Sequence, residues 1–360
     1  MKKFKIAFIA GTRPNFIKIA PLLAEADRNP KLRNVFIHSG QHYDTLMSDV
    51  FLKELGIRKP DHHIDSGSGS HAEQTAKIML GLEEAFKKIN PDLVVVVGDV
   101  NTTMAASLVS SKMLIKIAHV EAGLRSFDRT MPEEINRLVT DQLSDFLFTT
   151  SPDSHINLEN EGISKHKIFF TGNVMIDSLV KTMELKKIKV KPSSPPYCYL
   201  TLHRPSNVDD ENTLRKILNT LAEISKKIKI VFPAHPRTIA NIKKFKLTSL
   251  VKGSNIELKK PVGYIESVKL IAGATLVITD SGGLQEETTF MKIPCFTLRK
   301  NTERPITVEI GTNTIIGDDY TLLTKKFAEI MNGQYKTGKI PKYWDGKSAQ
   351  RIINVIADKL

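Results

Sequence analysis

Positions 119 to 137 read His-Val-Glu-Ala-Gly-Leu-Arg-Ser-Phe-Asp-Arg-Thr-Met-Pro-Glu-Glu-Ile-Asn-Arg, which places four carboxylates, three arginines and a histidine within nineteen residues. Carboxylates do general acid and base work, and guanidinium groups hold anions. The stretch follows an apolar run, and open α/β sheets keep their chemistry in loops just beyond the carboxyl ends of strands. Glu121 is expected at a strand end and Glu133 in the opening turn of the next helix, behind Pro132. Asp99 follows Val97-Gly98 at the end of the most apolar strand and is expected to face the same side. Carboxylates crowded in this way raise one another's pKa and supply acid and base forms near neutral pH. A plainer reading stands beside this one. Acids in a first helical turn are favoured by the helix dipole alone, and Asp99 or Asn101 would serve as a helix N-cap.

Two glycine corners suit anions. Gly11-Thr-Arg-Pro14 joins a strand to a helix, where free N–H groups await an anion and Arg13 and Lys18 add charge. Asp280-Ser-Gly-Gly-Leu-Gln-Glu-Glu287 repeats the pattern later in the chain. There Ser281 and the N–H groups of Gly282 and Gly283 form a cradle for a diphosphate, and Glu287 is placed to accept from ribose hydroxyls. His203 and His235 each follow a strand and are candidate phosphate donors. Taken singly, each corner also reads as an ordinary turn and each histidine as a structural one. No metal is expected: His62, His63 and His71 lie in a Gly/Ser-rich loop without a carboxylate or cysteine at ligand spacing, and Cys198 and Cys295 read as buried thiols.

These corners need elements to hold them. Short β-branched runs alternate with helical patterns, which predicts α/β units with parallel sheets. The expected strands are 5–10, 35–38, 93–97, 115–120, 146–149, 168–170, 197–202, 228–232, 256–258, 275–279 and 295–298. Helices are expected over 16–27, 72–88, 103–112 and 132–143, the last with Ile135, Leu138 and Val139 on its apolar face. Lys, Ser and Pro crowd together before Tyr197. The expected organisation is a Rossmann-like domain over 1–172 with the catalytic carboxylates, a hinge over 173–196, and a nucleotide-binding Rossmann-like domain over 197–345. A helix over 346–360 is expected to cross back to the first domain.

At 360 residues there is room for two cores, and apolar runs such as Leu93–Val97 fall far short of a membrane span. The basic start, Met1-Lys-Lys-Phe-Lys, leads into too short an apolar run for a secretion signal and reads as the first strand of a cytoplasmic protein. The net charge of +13 comes mainly from scattered lysines, without the aromatic-interleaved stretches of nucleic-acid modules; it suits an acidic small substrate. There is no Gly-x-x-x-x-Gly-Lys-Ser/Thr loop, no Gly-x-Gly-x-x-Gly after the first strand and no Gly-x-Ser-x-Gly elbow. P-loop phosphoryl transfer, dinucleotide redox chemistry and α/β-hydrolase catalysis therefore lose ground.

Taken in order, nine blocks resemble the non-hydrolysing UDP-N-acetylglucosamine 2-epimerases over nearly the whole chain. They include Gly11–Pro14 with Lys18, Gln41-His42, Gly98-Asp99, His119–Arg125, Pro132–Arg137, Thr171-Gly-Asn173, His203-Arg204, Asp280–Glu287 and Thr302-Glu-Arg-Pro305. The resemblance implies a GT-B-type fold, two Rossmann-like domains with a cleft between them, working as a homodimer on a UDP-sugar without a cofactor. It implies interconversion of UDP-GlcNAc and UDP-ManNAc at C2, through elimination of UDP to a 2-acetamidoglucal and re-addition, in polysaccharide biosynthesis. Carried across, Asp99, Glu121 and Glu133 become the acid/base set. Arg13, Lys18 and His203 steady the diphosphate; Ser281, Gly282, Gly283 and Glu287 hold UDP, with His235 and Arg304 as further substrate contacts. The chain departs from the commonest pattern at Asn15, where Glu is usual, at Gln41-His-Tyr-Asp44 in the activator region of bacterial relatives, and in a shorter loop over 126–131. A 2-epimerase of a diacetamido uronic acid and a GT-B glycosyltransferase using UDP-GlcNAc are the alternatives.

Overall fold

The computed structural model describes residues 3–40 and 52–360, so the Gln41–Asp44 segment lies outside it, as does the side chain of Arg13. The chain divides into two compact units, 1–181 with 342–360, and 182–341. The boundary therefore falls at 181, and the C-terminal helix Ser348–Lys359 is grouped with the first unit.

The first unit holds a parallel sheet of β1 (Phe4–Ala10), β2 (Leu32–His38), β3 (His62–His63), β4 (Leu93–Val97), β5 (Lys116–Ala122), β6 (Phe146–Thr149) and β7 (Ile168–Phe170). Its order is β3-β2-β1-β4-β5-β6-β7, with every neighbouring pair parallel. The second unit holds β8 (Tyr197–Thr201), β9 (Lys229–Pro233), β10 (Ile256–Lys259), β11 (Leu276–Thr279), β12 (Cys295–Thr297) and β13 (Asn313–Ile315) in the order β10-β9-β8-β11-β12-β13, again all parallel. This is the α/β architecture expected of two Rossmann-like domains. In each sheet the strand order reverses beside the first strand, between β1 and β4 and between β8 and β11, and such switch points open a crevice at the strands' carboxyl ends. The Gly11 corner and Asp99 follow the first such pair; His203 and Asp280 follow the second.

The sequence forms these strands because both sheet faces are covered. β4, Leu-Val-Val-Val-Val, is buried at every position, the pattern of a central parallel strand. Leu214, Ile217, Leu218 and Leu221 of the helix Glu211–Ser225 cover the second sheet. Cys198 and Cys295 are buried free thiols within it.

Several expectations need correction. The helix expected from Phe16 begins at Arg13, because Thr12 stays extended and Pro14 suits the first turn. His62–His63 forms an edge strand rather than loop, and β13 was not anticipated. The helix Pro132–Leu143 reverses its expected amphipathicity. It buries Glu134, Asn136, Arg137, Thr140 and Asp141, while Ile135, Leu138 and Val139 are half-exposed.

Candidate active site

At the first switch point, Asn15 braces the Gly11 corner against the sheet. Its amide donates to the Val97 carbonyl at 2.9 Å, and its oxygen accepts from the Thr12 hydroxyl at 2.9 Å. A glutamate, acceptor-only when ionised, could not make the first bond. One turn along the same helix, the Lys18 ammonium is paired with Glu121 Oε2, and both side chains are buried. Gly98 makes room for that pair: its φ is +66°, and a Cβ there would lie 2.6 Å from Lys18 Nζ.

Glu121 does not simply end its strand. It sits within β5 at φ +73°, beside a slip in the β5–β6 register between Val120 and Ala122. Its Oε1 is buried without a hydrogen-bond partner among the described residues. Asp99, half-exposed, is paired with Arg137, whose Nε also donates to Glu134 at 3.0 Å. Asn136 donates to the Asp99 carbonyl at 2.8 Å. The helix beyond is capped at Val100 without a side-chain bond, so neither Asp99 nor Asn101 acts as the N-cap. Glu133 is half-buried in the first turn of its helix.

Glu121 and Asp99 are thus each matched with a cation, Lys18 and Arg137, where the sequence suggested uncompensated carboxylates. Glu134 accepts from the N–H groups of Ser126 and Phe127 at 3.0 and 2.9 Å and so shapes the short loop before Pro132. Burial pushes its carboxyl up, but those bonds and Arg137 hold it below the usual range. Arg137, Glu134 and Asp141 were missed as site-building residues. Their one signal was spacing, since 134, 137 and 141 recur on one helical face.

At the second switch point, the wholly buried Asp280 accepts from the backbone of His203 at 3.0 Å, that of Arg204 at 2.9 Å and the Asn207 amide at 3.1 Å. His203 Nδ1 lies 2.9 Å from the same carboxylate while the ring stays exposed. Burial raises the Asp280 carboxyl, yet His203 and these N–H groups bring it below the ordinary range. Ser281 is the extended N-cap residue of the helix Gly282–Met291, whose first turn holds Gly282 and Gly283. A Cβ on Gly282 would lie 2.7 Å from Arg304 Nη1.

Three expected contacts meet a different setting. Arg304 is buried, its Nε 2.8 Å from Glu286 and Nη1 bound to Glu303, so its guanidinium is committed to two carboxylates. Glu287 is buried near Tyr264, whose phenol is pushed well above its ordinary range by burial and by that carboxylate. His235 caps the helix Pro236–Lys244, its Nδ1 accepting from Arg237 N–H at 3.2 Å; the ring is otherwise exposed.

The match to a family model described as UDP-N-acetylglucosamine 2-epimerase covers residues 24–357. The chain belongs to the UDP-N-acetylglucosamine 2-epimerase family. Members of this family are isomerases, and the two Rossmann-like units are those of its GT-B-type fold. A Methanocaldococcus jannaschii protein named UDP-N-acetylglucosamine 2-epimerase is 42% identical, covering 98% of each chain. A crystal structure of the UDP-GlcNAc 2-epimerase of that organism, in complex with UDP-GlcNAc and UDP, superposes with a TM-score of 0.90 at 41% identity, covering 99% of this chain and 100% of the other. A family relative from Pseudomonas aeruginosa, named UDP-2,3-diacetamido-2,3-dideoxy-D-glucuronate 2-epimerase, is 37% identical over 98% of this chain and 99% of its own. Among the described residues no helix is long and apolar enough to cross a membrane.

Proposed function

We propose that this chain interconverts UDP-GlcNAc and UDP-ManNAc by inverting C2. The C2–H bond is broken by a carboxylate, its electron pair becomes the C1=C2 double bond, and the C1–O pair leaves with UDP. The bound 2-acetamidoglucal then takes a proton at C2 on the opposite face as the UDP oxygen re-forms its bond to C1. The reaction needs proton carriers on two faces of the sugar and a firm hold on the leaving diphosphate.

The observation that carries this reading is the buried Glu121–Lys18 pair, with one carboxylate oxygen left unengaged at a strained strand position. In the first unit Asp99, Glu121 and Glu133 act as the acid/base set, with Arg13 and Lys18 steadying charge on the diphosphate. In the second, His203 offers its exposed Nε2 to the diphosphate, and Ser281, Gly282 and Gly283 present N–H groups to it. Glu287, through its environment with Tyr264, shapes the nucleotide subsite; His235 and Arg304 border it. The same reading takes the working form to be a cytoplasmic homodimer.

Incubation with UDP-GlcNAc in deuterated water tests the proposal. Deuterium at C2 of a UDP-GlcNAc/UDP-ManNAc mixture is the expected result; turnover without it, or release of free ManNAc, would overturn the mechanism. The likeness to the diacetamido-glucuronate enzyme supports a second reading, a modified UDP-HexNAc as substrate. A parallel incubation with that sugar nucleotide separates the two by their kcat/KM values.

A further inference from the structure

His119 stands two residues before Glu121 and its imidazole is wholly buried. Nε2 is 2.9 Å from the Gly98 carbonyl oxygen and Nδ1 is 2.6 Å from Asp141 Oδ1. A carbonyl oxygen only accepts, so Nε2 carries a hydrogen. Asp141 is also wholly buried. Burial alone would push its carboxyl up, but the His119 charge and the Arg125 guanidinium hold it below its ordinary range. The Arg125 guanidinium 2.7 Å from Oδ2 favours the carboxylate form of Asp141, which accepts from Nδ1. The ring is sealed between two strand ends and a helix, with a hydrogen-bond partner at each nitrogen.

The other oxygen of Asp141 completes a clamp. Oδ2 accepts the Gly123 N–H at 3.1 Å and lies 2.7 Å from Arg125 Nη2. Arg125 in turn makes a two-bond contact with Glu161, at 2.7 and 2.6 Å. One carboxylate therefore grips residues 119 and 123, on either side of Glu121, whose left-handed φ of +73° is costly for a side chain with a Cβ. Through Nε2 the same unit grips the Gly98 carbonyl, directly before Asp99.

We propose that Asp141 and the doubly protonated His119 are positioning residues which fix the strand ends carrying Glu121 and Asp99. Neither takes a proton from the substrate. The role rests on the reading of Glu121 and Asp99 as acid/base groups. Misplacing a reacting group by about 1 Å costs about a hundredfold in rate, so loss of the clamp reads out in turnover rather than in binding.

Two measurements test this. The first needs no turnover: long-range nitrogen–proton NMR of ¹⁵N-histidine-labelled, ligand-free enzyme, with His119 assigned from the His119→Gln spectrum. Imidazolium signals at both ring nitrogens are expected; one unprotonated nitrogen overturns the proposal. The second is steady-state kinetics of Asp141→Asn. The expected kcat is lower by about a hundredfold, with KM and UDP affinity within about threefold. Retention of kcat within threefold in a folded variant overturns positioning, as does an equal loss of kcat and UDP affinity. Should Asp141→Asn fail to fold, His119→Gln, which keeps a donor for Gly98 but no charge, must show the same split. If the unaltered enzyme exchanges no C2 hydrogen on any UDP-HexNAc, the functional reading fails by itself, and the NMR result still decides the state of His119.

Discussion

Glu121→Gln tests both the chemistry and the electrostatics of the first unit. The side chains of Lys18 and Glu121 are 7% and 2% exposed, so the pair is desolvated and Lys18 has no other salt-bridge partner among the described residues. Removing one member of a buried ion pair leaves an uncompensated charge and costs about 3–5 kcal/mol, whereas replacing both with apolar or neutral groups of similar size is often neutral. Glu121→Gln and Lys18→Met are each expected to lose about that much in urea unfolding of the transition belonging to the first unit. The double variant is expected to return to within about 1 kcal/mol of the unaltered protein, a large coupling energy in a double-mutant cycle. For a unit of this size the single losses correspond to a melting temperature lower by roughly 2–4 °C per kcal/mol. Turnover is expected to vanish in both Glu121→Gln and the double variant, while UDP binding by calorimetry stays within a few-fold in Glu121→Gln. Additive losses in the cycle, or single losses below about 1 kcal/mol, would show that water reaches the pair and would refute the reasoning. Loss of UDP affinity equal to the loss of rate would make Glu121 a structural residue.

Three further outcomes are expected. Asp177 accepts the N–H groups of Ser348 and Ala349 at 3.1 and 2.6 Å, and burial, with Asp345 nearby, lifts its carboxyl from 3.8 to about 6. A raised carboxyl favours folding while protonated, so its contribution is complete below pH 3.8 and is lost as pH rises through about 6, by roughly 3 kcal/mol in all. Asp177→Asn should flatten that part of the stability–pH curve, and an unchanged curve would count against it. Gly98→Ala should destabilise by about 1–2 kcal/mol through its left-handed φ and, by displacing Lys18, lower kcat by more than tenfold; near-normal kinetics would contradict the geometry. Asp280→Asn should weaken UDP binding about tenfold, since it loses charge beneath His203 and one acceptor for the His203 and Arg204 N–H groups, with C2 deuterium exchange at saturating substrate less affected.

Much of the fold was legible because each buried parallel strand writes itself as a β-branched run. Leu93–Val97 and Phe146–Thr149 agree between expectation and structure, residue for residue. The misses have local causes. β3 and β13 sit at sheet edges and are not apolar runs, reading His62-His63 and Asn313-Thr314-Ile315, unlike the equally short Ile168–Phe170. Val174–Leu185 is continuous helix, and the crowding of Lys, Ser and Pro before Tyr197 follows it.

The candidate carboxylates stand out in the sequence by residue type, but their charge balance was illegible there. Proximity along the chain brought Asp99, Glu121 and Glu133 under suspicion together, and like charges near one another suggested mutual repulsion. Spacing did not pair them with their cations: Lys18 comes from a helix more than a hundred residues before Glu121, and Arg137, though in the same stretch, from a helix face that its apolar residues had marked as the outer one. Hydrophobic periodicity locates the buried face only where burial is apolar. On Pro132–Leu143 the buried face is Glu134, Arg137 and Asp141, because the helix packs against strand ends that carry ionised groups needing partners. An apolar helix face there would have left Asp99 without Arg137 and His119 without its carboxylate partner, at a cost far above the burial of Ile135, Leu138 and Val139. The polarity of that face accordingly follows from packing against strand ends whose buried polar and charged groups an apolar surface could not satisfy.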